Sequence, residues 1–414
     1  MNLTVENGKT LLVDGPASVE VTSGRVEVFG SVISGAGRVV IREGKRLPFA
    51  VEEKATFNIS LGENANVEEV DGNTIPPSWI KSFEEMLNFQ TKPVTAMVLG
   101  TVDSGKTSFC TYLINKLLRE KQKVAILDGD LGQSDIGPPC TVAYALVAKP
   151  ITDLFNLEAK NAFFVGVTSP STAINKVIEG LTSLKKDISS INPDFIIINT
   201  DGWVEGEEAV NYKAQLVEDL NPDMIFCIQQ KDELAPLISA LEKFRKVVFD
   251  SPSAIRQRSR EKRRSLRELG YIKYLRNAKV QSLPLSWLKI EENELLGLSR
   301  GHGDTVQARK IYELLGMKPL HFAELRDGIR IVIGRKRWIS EESVRKAEEF
   351  AKKRIVVVRR GEEENLLVAL YDAERKFLGM GVLQEVDYAR KNLKIFTPVS
   401  EEISIVSLGK VKLD

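Results

Sequence analysis

The residues Gly100-Thr101-Val102-Asp103-Ser104-Gly105-Lys106-Thr107 follow the spacing glycine, four residues, glycine, lysine, serine or threonine. Glycines at both ends let consecutive backbone N–H groups turn inward around a phosphate, and a helix N-terminus behind them adds partial positive charge. In that pattern Lys106 reaches the β- and γ-phosphates and the Thr107 hydroxyl ligates a divalent cation. An apolar run at 94–99 precedes the motif and a helical pattern follows from Lys106, which is the context the chemistry requires. The loop points to a nucleoside triphosphate and leaves the acceptor open.

Two further clusters could act on such a ligand. Asp128-Gly129-Asp130-Leu131-Gly132-Gln133 ends the apolar run at 124–127. If that strand lies beside the loop strand, its carboxylates face the phosphates at the carboxyl edge of the sheet. There either Asp128 or Asp130 can order Mg²⁺ or take a proton from an attacking hydroxyl. From Arg256 to Arg267 the sequence RQRSREKRRSLR holds seven basic residues and one acid in a chain whose formal charge is only +1. Read as a helix, Arg256, Arg260, Arg263 and Arg267 share one stripe, an arrangement that invites a polyanion and whose planar guanidinium groups suit phosphate oxygens. Gly166-Val167-Thr168-Ser169-Pro170-Ser171 and Asn199-Thr200-Asp201-Gly202-Trp203-Val204 also follow apolar runs, and Trp203 can stack on a nucleobase.

The elements that must position these residues have a parallel-sheet signature. Unbroken apolar runs at 94–99, 124–127, 162–167, 195–198, 224–228 and 247–249 alternate with helical patterns at 106–120, 172–186, 206–220 and 232–244. Strands apolar on both faces and separated by helices predict a central α/β domain. Before it, residues 2–71 alternate with period two between glycine turns, predicting a small antiparallel β-sandwich-like module, and 78–88 reads as a connecting helix. After it, from about 282, β-like runs return with one helix near 341–353. The expected division is 1–90, 91–281 with the Arg-rich lid, and 282–414.

Composition narrows the classes. With 414 residues, 43% hydrophobic and 28% charged, the chain is a multidomain globular protein rather than a disordered or fibrous one. Three dispersed cysteines and two histidines, His302 and His321, give no support to a disulfide framework, a zinc site or a histidine-based triad. The first fourteen residues lack a charged and apolar leader pattern, and no window approaches a membrane span, so the cytoplasm is the expected compartment and no membrane partner is expected.

Taken together, the loop with Asp103 before its second glycine, Asp130-x-Gly132-Gln133, Thr168-Ser169-Pro170, Thr200-x-Gly202-Trp203 and the Arg-rich lid resemble the polyribonucleotide 5′-hydroxyl kinase family. That family includes the kinase subunit of the eukaryotic pre-mRNA cleavage complex and the nucleolar pre-ribosomal RNA kinase. The resemblance implies a P-loop kinase that moves the γ-phosphoryl group of ATP, with Mg²⁺ or another divalent cation, to the 5′-hydroxyl of single-stranded RNA. Single-stranded DNA is implied as a weaker acceptor and RNA-processing proteins as partners. It implies that residues 100–107 bind the nucleotide, that Thr107 and Asp130 hold the metal, and that Asp130 prepares the hydroxyl. Gln133, Thr168, Ser169 and Trp203 would hold RNA, and Lys106, Arg258, Arg263 and Arg267 would serve the transfer. Arg258 and Arg263 are five apart and cannot share the stripe; Arg46 is a candidate base contact in the first module. Asp201 stands where the family often has proline, a carboxylate without explanation at this level. A regulatory GTPase would need an Asn-Lys-x-Asp element, and Gln229-Gln230-Lys231-Asp232 lacks it. A catalytically silent ATP-binding scaffold stays open.

Overall fold

Residues 1–255, 258–291, 305–325 and 328–413 are described by the computed structural model of the chain. Period-two alternation produces the first sheet. Its strands are β1 (Asn2–Val5), β2 (Lys9–Asp14), β3 (Ala17–Val28), β4 (Ser31–Ser34), β5 (Gly37–Ile41), β6 (Arg46–Leu61) and β7 (Val67–Asp71). They pair in the order β4-β3-β6-β2-β7, with β1 added on β6 and β5 on β3. The long β3 and β6 pair with register shifts around Ser23 and Arg25, bulges that bend both strands. Val19, Val21, Val26, Phe49 and Phe57 are fully buried in this module.

Helix α1 (Pro77–Leu87) opens with a proline in its first turn, where the missing N–H costs nothing. The central domain follows as β8 (Val94–Gly100), α2 (Lys106–Arg119), β9 (Val124–Gly129), β10 (Thr141–Val147), β11 (Asn161–Phe164), α3 (Ile174–Ile191), β12 (Phe195–Thr200), α4 (Glu207–Leu220), β13 (Met224–Gln229), α5 (Ala235–Ala240) and β14 (Lys246–Asp250). The strand order is β11-β10-β9-β12-β8-β13-β14. From β9 to β14 every pairing is parallel, and every residue of β8, β9 and β12 is buried, as the unbroken apolar runs require. Strand β10, which the periodicity reading does not pick out, runs antiparallel between β9 and β11. The order also corrects one premise: β9 is not the neighbour of the loop strand β8, because β12 lies between them.

Helix α2 carries the phosphate loop and has little solvent face. Its Phe109 packs edge-on against Phe226 and Phe249, and Trp79 of α1 closes over Phe109 and Tyr112. Asn115 is fully buried and donates to the carbonyls of Phe29 and Ile151, tying α2 to the first β module. The module and the sheet consequently fall in one compact unit, Met1–Tyr271.

Helix α6 (Arg260–Tyr274) leads out of that unit. The second unit, Ile272–Asp414, holds β15 (Lys279–Pro284), β16 (Lys289–Glu291), α7 (Val306–Leu315), β17 (His321–Glu324), β18 (Gly328–Ile333), α8 (Glu341–Ala351), β19 (Arg354–Arg359), β20 (Leu366–Tyr371), β21 (Phe377–Asp387), β22 (Asn392–Thr397) and β23 (Ile405–Lys412). The helix read at 341–353 is α8, capped by the Ser340 hydroxyl accepting from the Ser343 N–H; α7 is additional. His302 lies outside the described residues. Among those described, no helix is long and apolar enough to cross a membrane.

Candidate active site

The phosphate loop sits at the carboxyl end of β8, flanked by β12 and β13. Close approach explains its glycines. A Cβ on Gly100 would lie 2.5 Å from the Ile228 carbonyl oxygen and 2.6 Å from Ser104 Oγ, and Gly105 has a φ of +99° as the residue capping α2. Lys106 is 6% exposed and its Nζ donates to the Thr101 carbonyl at 2.6 Å. Burial pulls its ammonium down to about 8, with the Asp130 carboxylate pulling the other way. Thr107 stands in the first turn of α2, half-exposed.

The two aspartates after β9 have different surroundings. Asp128 is completely buried and accepts from Asn199 Nδ2 at 3.0 Å and from the backbone N–H groups of Asp135 and Ile136 at 2.9 and 3.3 Å. Burial, then Asp135 and Asp130, push its carboxyl up to about 7. It fastens the turn that follows. Asp130 is half-buried on the wall of the cleft that also holds Lys106, and its Oδ1 accepts from the N–H groups of Gly132 and Gln133 at 3.0 and 2.9 Å. Its pKa is raised by burial and by Asp201, while Lys106 opposes the shift.

The basic segment covers the loop. Ser251 Oγ donates to the Ser104 carbonyl at 2.7 Å, and a Cβ on Gly105 would meet Ile255 Cδ1 at 2.5 Å. Helix α6 begins at Arg260 and carries Arg260, Arg263 and Arg267 of the stripe; Arg256 lies outside the described residues. Arg258 precedes the helix. Its backbone N–H donates to Asp103 Oδ2 at 2.9 Å, while Nε and Nη2 reach Asp103 Oδ1 at 2.8 and 2.7 Å. Arg263 Nη1 lies 3.6 Å from the same carboxylate, and Arg267 lines the cleft. Gln133 Nε2 donates to the Arg263 carbonyl at 3.1 Å, joining the aspartate turn to the lid.

Comparison with known proteins identifies the family. Residues 100–277 match the family described as the P-loop of mRNA cleavage and polyadenylation factor CLP1. A polyribonucleotide 5′-hydroxyl-kinase of Pyrococcus furiosus is 31% identical over 328 residues, covering 78% of this chain and 88% of the relative. That of Thermococcus kodakarensis is 30% identical over 347 residues, covering 82% of this chain and 93% of the relative. The chain belongs to the polyribonucleotide 5′-hydroxyl-kinase family. Its fold is similar to that in a solved structure of a wild-type Clp1p-Pcf11p complex, with a TM-score of 0.67 at 13% identity, covering 100% of this chain and 97% of that one.

Other residues implied by the family resemblance fall in different places. Trp203 is half-buried, stacked on Tyr212 with ring centroids 5.7 Å apart, and packed against the central core. Thr168 is half-buried and Ser169 exposed, on the loop beyond β11. The Thr168 carbonyl would be 3.2 Å from a Cβ on Gly132, which places the two turns against each other. Asp201 has an explanation that the sequence did not offer. It is 4% exposed, its Oδ2 accepts from Lys213 Nζ at 2.7 Å and Tyr212 Oη at 2.9 Å, and its Oδ1 accepts from the Trp203 N–H. Lys213 itself is fully buried. Asp201 is therefore a neutralised anchor for the Trp203 turn and presents no free carboxylate to an acceptor.

The first β module supplies one wall of the same cleft. Arg46 lines it while donating through Nε and Nη2 to both oxygens of Asp14 at 2.8 and 2.9 Å. Sequence reasoning missed the neighbouring cluster. Arg42 donates to Asp153 at 2.6 and 2.8 Å and to Asp135 at 2.7 Å, and Lys45 reaches Asp135 at 2.9 Å. These two cations hold the Asp135 carboxyl below its usual range. Glu43 pairs with Lys262 of α6. The only linear hint is the Glu-Gly-Lys turn at 43–45, an ordinary hairpin signal.

A divalent cation fits the cleft in one way. Among the described residues no group of three His, Cys, Asp or Glu converges, so the protein offers no closed cage. Thr107 and Asp130 both line the cleft and offer a hydroxyl and a carboxylate. This sparse all-oxygen set suits Mg²⁺, which keeps several waters and takes its remaining ligands from phosphates.

Proposed function

We propose that this protein transfers the γ-phosphoryl group of ATP to the 5′-hydroxyl of single-stranded RNA, with single-stranded DNA a poorer acceptor. One observation carries the reading: the phosphate loop, Asp130 and the lid residues Arg258 and Arg267 line a single cleft at the carboxyl edge of the sheet. Backbone N–H groups of 100–107 hold the β-phosphate, Lys106 spans the β- and γ-phosphates, and Thr107 and Asp130 hold Mg²⁺, which neutralises phosphate charge when bound. Asp130 orients the RNA hydroxyl and receives its proton; Arg258, Arg263 and Arg267 offset the charge on the transferring group. Gln133 and the turns bearing Thr168, Ser169 and Trp203 align the terminal nucleotide, because positioning supplies much of the rate in phosphoryl transfer. The functional parts are the module at 1–90, the kinase domain with its lid at 91–281, and the module at 282–414. A cytoplasmic site of action beside RNA-processing proteins suits this activity.

The test uses γ-labelled ATP, Mg²⁺ and paired RNA oligomers bearing a 5′-hydroxyl or a 5′-phosphate. Label on the hydroxyl oligomer alone supports the reading. Label on neither, with ATP still bound, rejects it in favour of a scaffold.

A further inference from the structure

The grip on residue 258 is more elaborate than a surface ion pair. Asp103 is 4% exposed at its side chain and sits in the phosphate loop at a φ of +58°. Its carboxylate holds the Arg258 backbone N–H on one oxygen and two guanidinium N–H groups on the other. Both the path of the chain and the direction of the side chain are thereby fixed. Nη1 of Arg258 is the guanidinium nitrogen outside that grip, and Arg258 lines the cleft with Lys106. Arg263 approaches the Oδ2 side of the same carboxylate at 3.6 Å.

We infer that Asp103 is a positioning residue: it orients Arg258, and through it the lid, so that a guanidinium is aimed at the transferring phosphoryl group. This rests on the kinase reading above. A carboxylate inside a phosphate-binding loop repels the ligand, so its presence there calls for a compensating task. Orienting a lid arginine supplies one, because an arginine delivered to the transition state is worth orders of magnitude in turnover.

The experiment compares the parent protein, Asp103→Asn, Arg258→Ala, the double variant and Arg258→Lys, measuring kcat and KM for ATP with a 5′-hydroxyl RNA oligomer. Asn keeps the shape, but its neutral amide cannot hold three donors. The expected result is a fall in kcat of at least about 30-fold in Asp103→Asn with KM for ATP changed less than about threefold. The double variant should be no slower than Arg258→Ala, because the two residues act as one unit. Arg258→Lys keeps the charge without the fork and should resemble Arg258→Ala. Three results would each overturn the inference: parental kcat in Asp103→Asn, losses that multiply in the double variant, or near-parental kcat in Arg258→Lys. The last arm stands even if Asp103→Asn fails to fold. A parent protein that labels no RNA sinks the kinase reading itself, a different outcome from an active parent with an indifferent Asp103.

Discussion

Lys213→Met removes the cation from one end of a pair that is dry at both ends. Lys213 is fully buried and Asp201 is 4% exposed, so the remaining carboxylate would keep Tyr212 Oη and the Trp203 N–H as donors but lose the ammonium that contacts it at 2.7 Å. Breaking a buried pair by deleting one partner costs about 3–5 kcal/mol, because the survivor is left charged and poorly solvated. At about 2–4 °C per kcal/mol for a domain of this size, the first unit should melt roughly 6–20 °C lower. Asp201→Asn combined with Lys213→Met removes both charges and should recover much of the loss, since an apolar replacement of a whole pair is often close to neutral. Differential scanning calorimetry on the parent, Lys213→Met, Asp201→Asn and the double variant, resolving the transition of the first unit, measures the cycle. A shift below about 2 °C for Lys213→Met, or a double variant no more stable than the single one, would refute the claim that Asp201 is a neutralised anchor.

Other outcomes follow from the same geometry. Lys106→Ala should reduce kcat by about 100-fold or more while the melting temperature stays near parental, checked by labelled phosphoryl transfer beside calorimetry. A Cβ on Gly202 would lie 2.5 Å from Val102 Cγ2 and 2.7 Å from Val102 N, so Gly202→Ala must displace the phosphate loop. The strain is about 1–3 kcal/mol, and ATP affinity measured by isothermal titration should fall about 5- to 150-fold; unchanged affinity would show that the loop yields freely. Asp135 carries a depressed pKa, so the stability it contributes is present above its unfolded value of about 3.9 and is lost as pH falls through the lower folded value. Asp135→Asn should flatten the decline of melting temperature between pH 5 and pH 2, and a slope equal to the parent's would count against it.

The local parts of the site were legible and the long-range parts were not. The phosphate loop is eight consecutive residues whose geometry follows from two glycines and the helix behind them, so spacing alone locates it. Burial on both faces made β8, β9, β12 and β13 visible as apolar runs. Their lateral order was not, because parallel pairing leaves no mark in the linear pattern, and β12 between β9 and β8 came only with the structure. Strand β10, TVAYALV, follows a Gly-Pro-Pro-Cys turn, whose breaker residues masked it. The Arg42 cluster joins residues 93 and 111 positions apart, and each member alone looks like an ordinary surface charge. Asp201 lacked an explanation because its partner, Lys213, reads as a solvent-facing helix residue until α4 is packed. Of the arginine stripe, Arg260, Arg263 and Arg267 lie on α6, whereas Arg258 precedes the helix and is held by Asp103 through its backbone N–H.

Helix α2 is wedged between the first β module and the sheet, with Trp79, Phe109, Tyr112 and Asn115 all dry, whereas Arg258 and Arg263 are 23% and 28% exposed at their side chains. The two halves of the cleft are therefore fastened by different materials, one by close-packed rings and the other by ion pairs between a buried carboxylate and two partly exposed guanidinium groups. Added salt can act on the second only through its partly exposed guanidinium groups and leaves the first untouched. Ionic strength therefore bears on the contacts of the basic segment, while the packing that seats the phosphate loop does not depend on it.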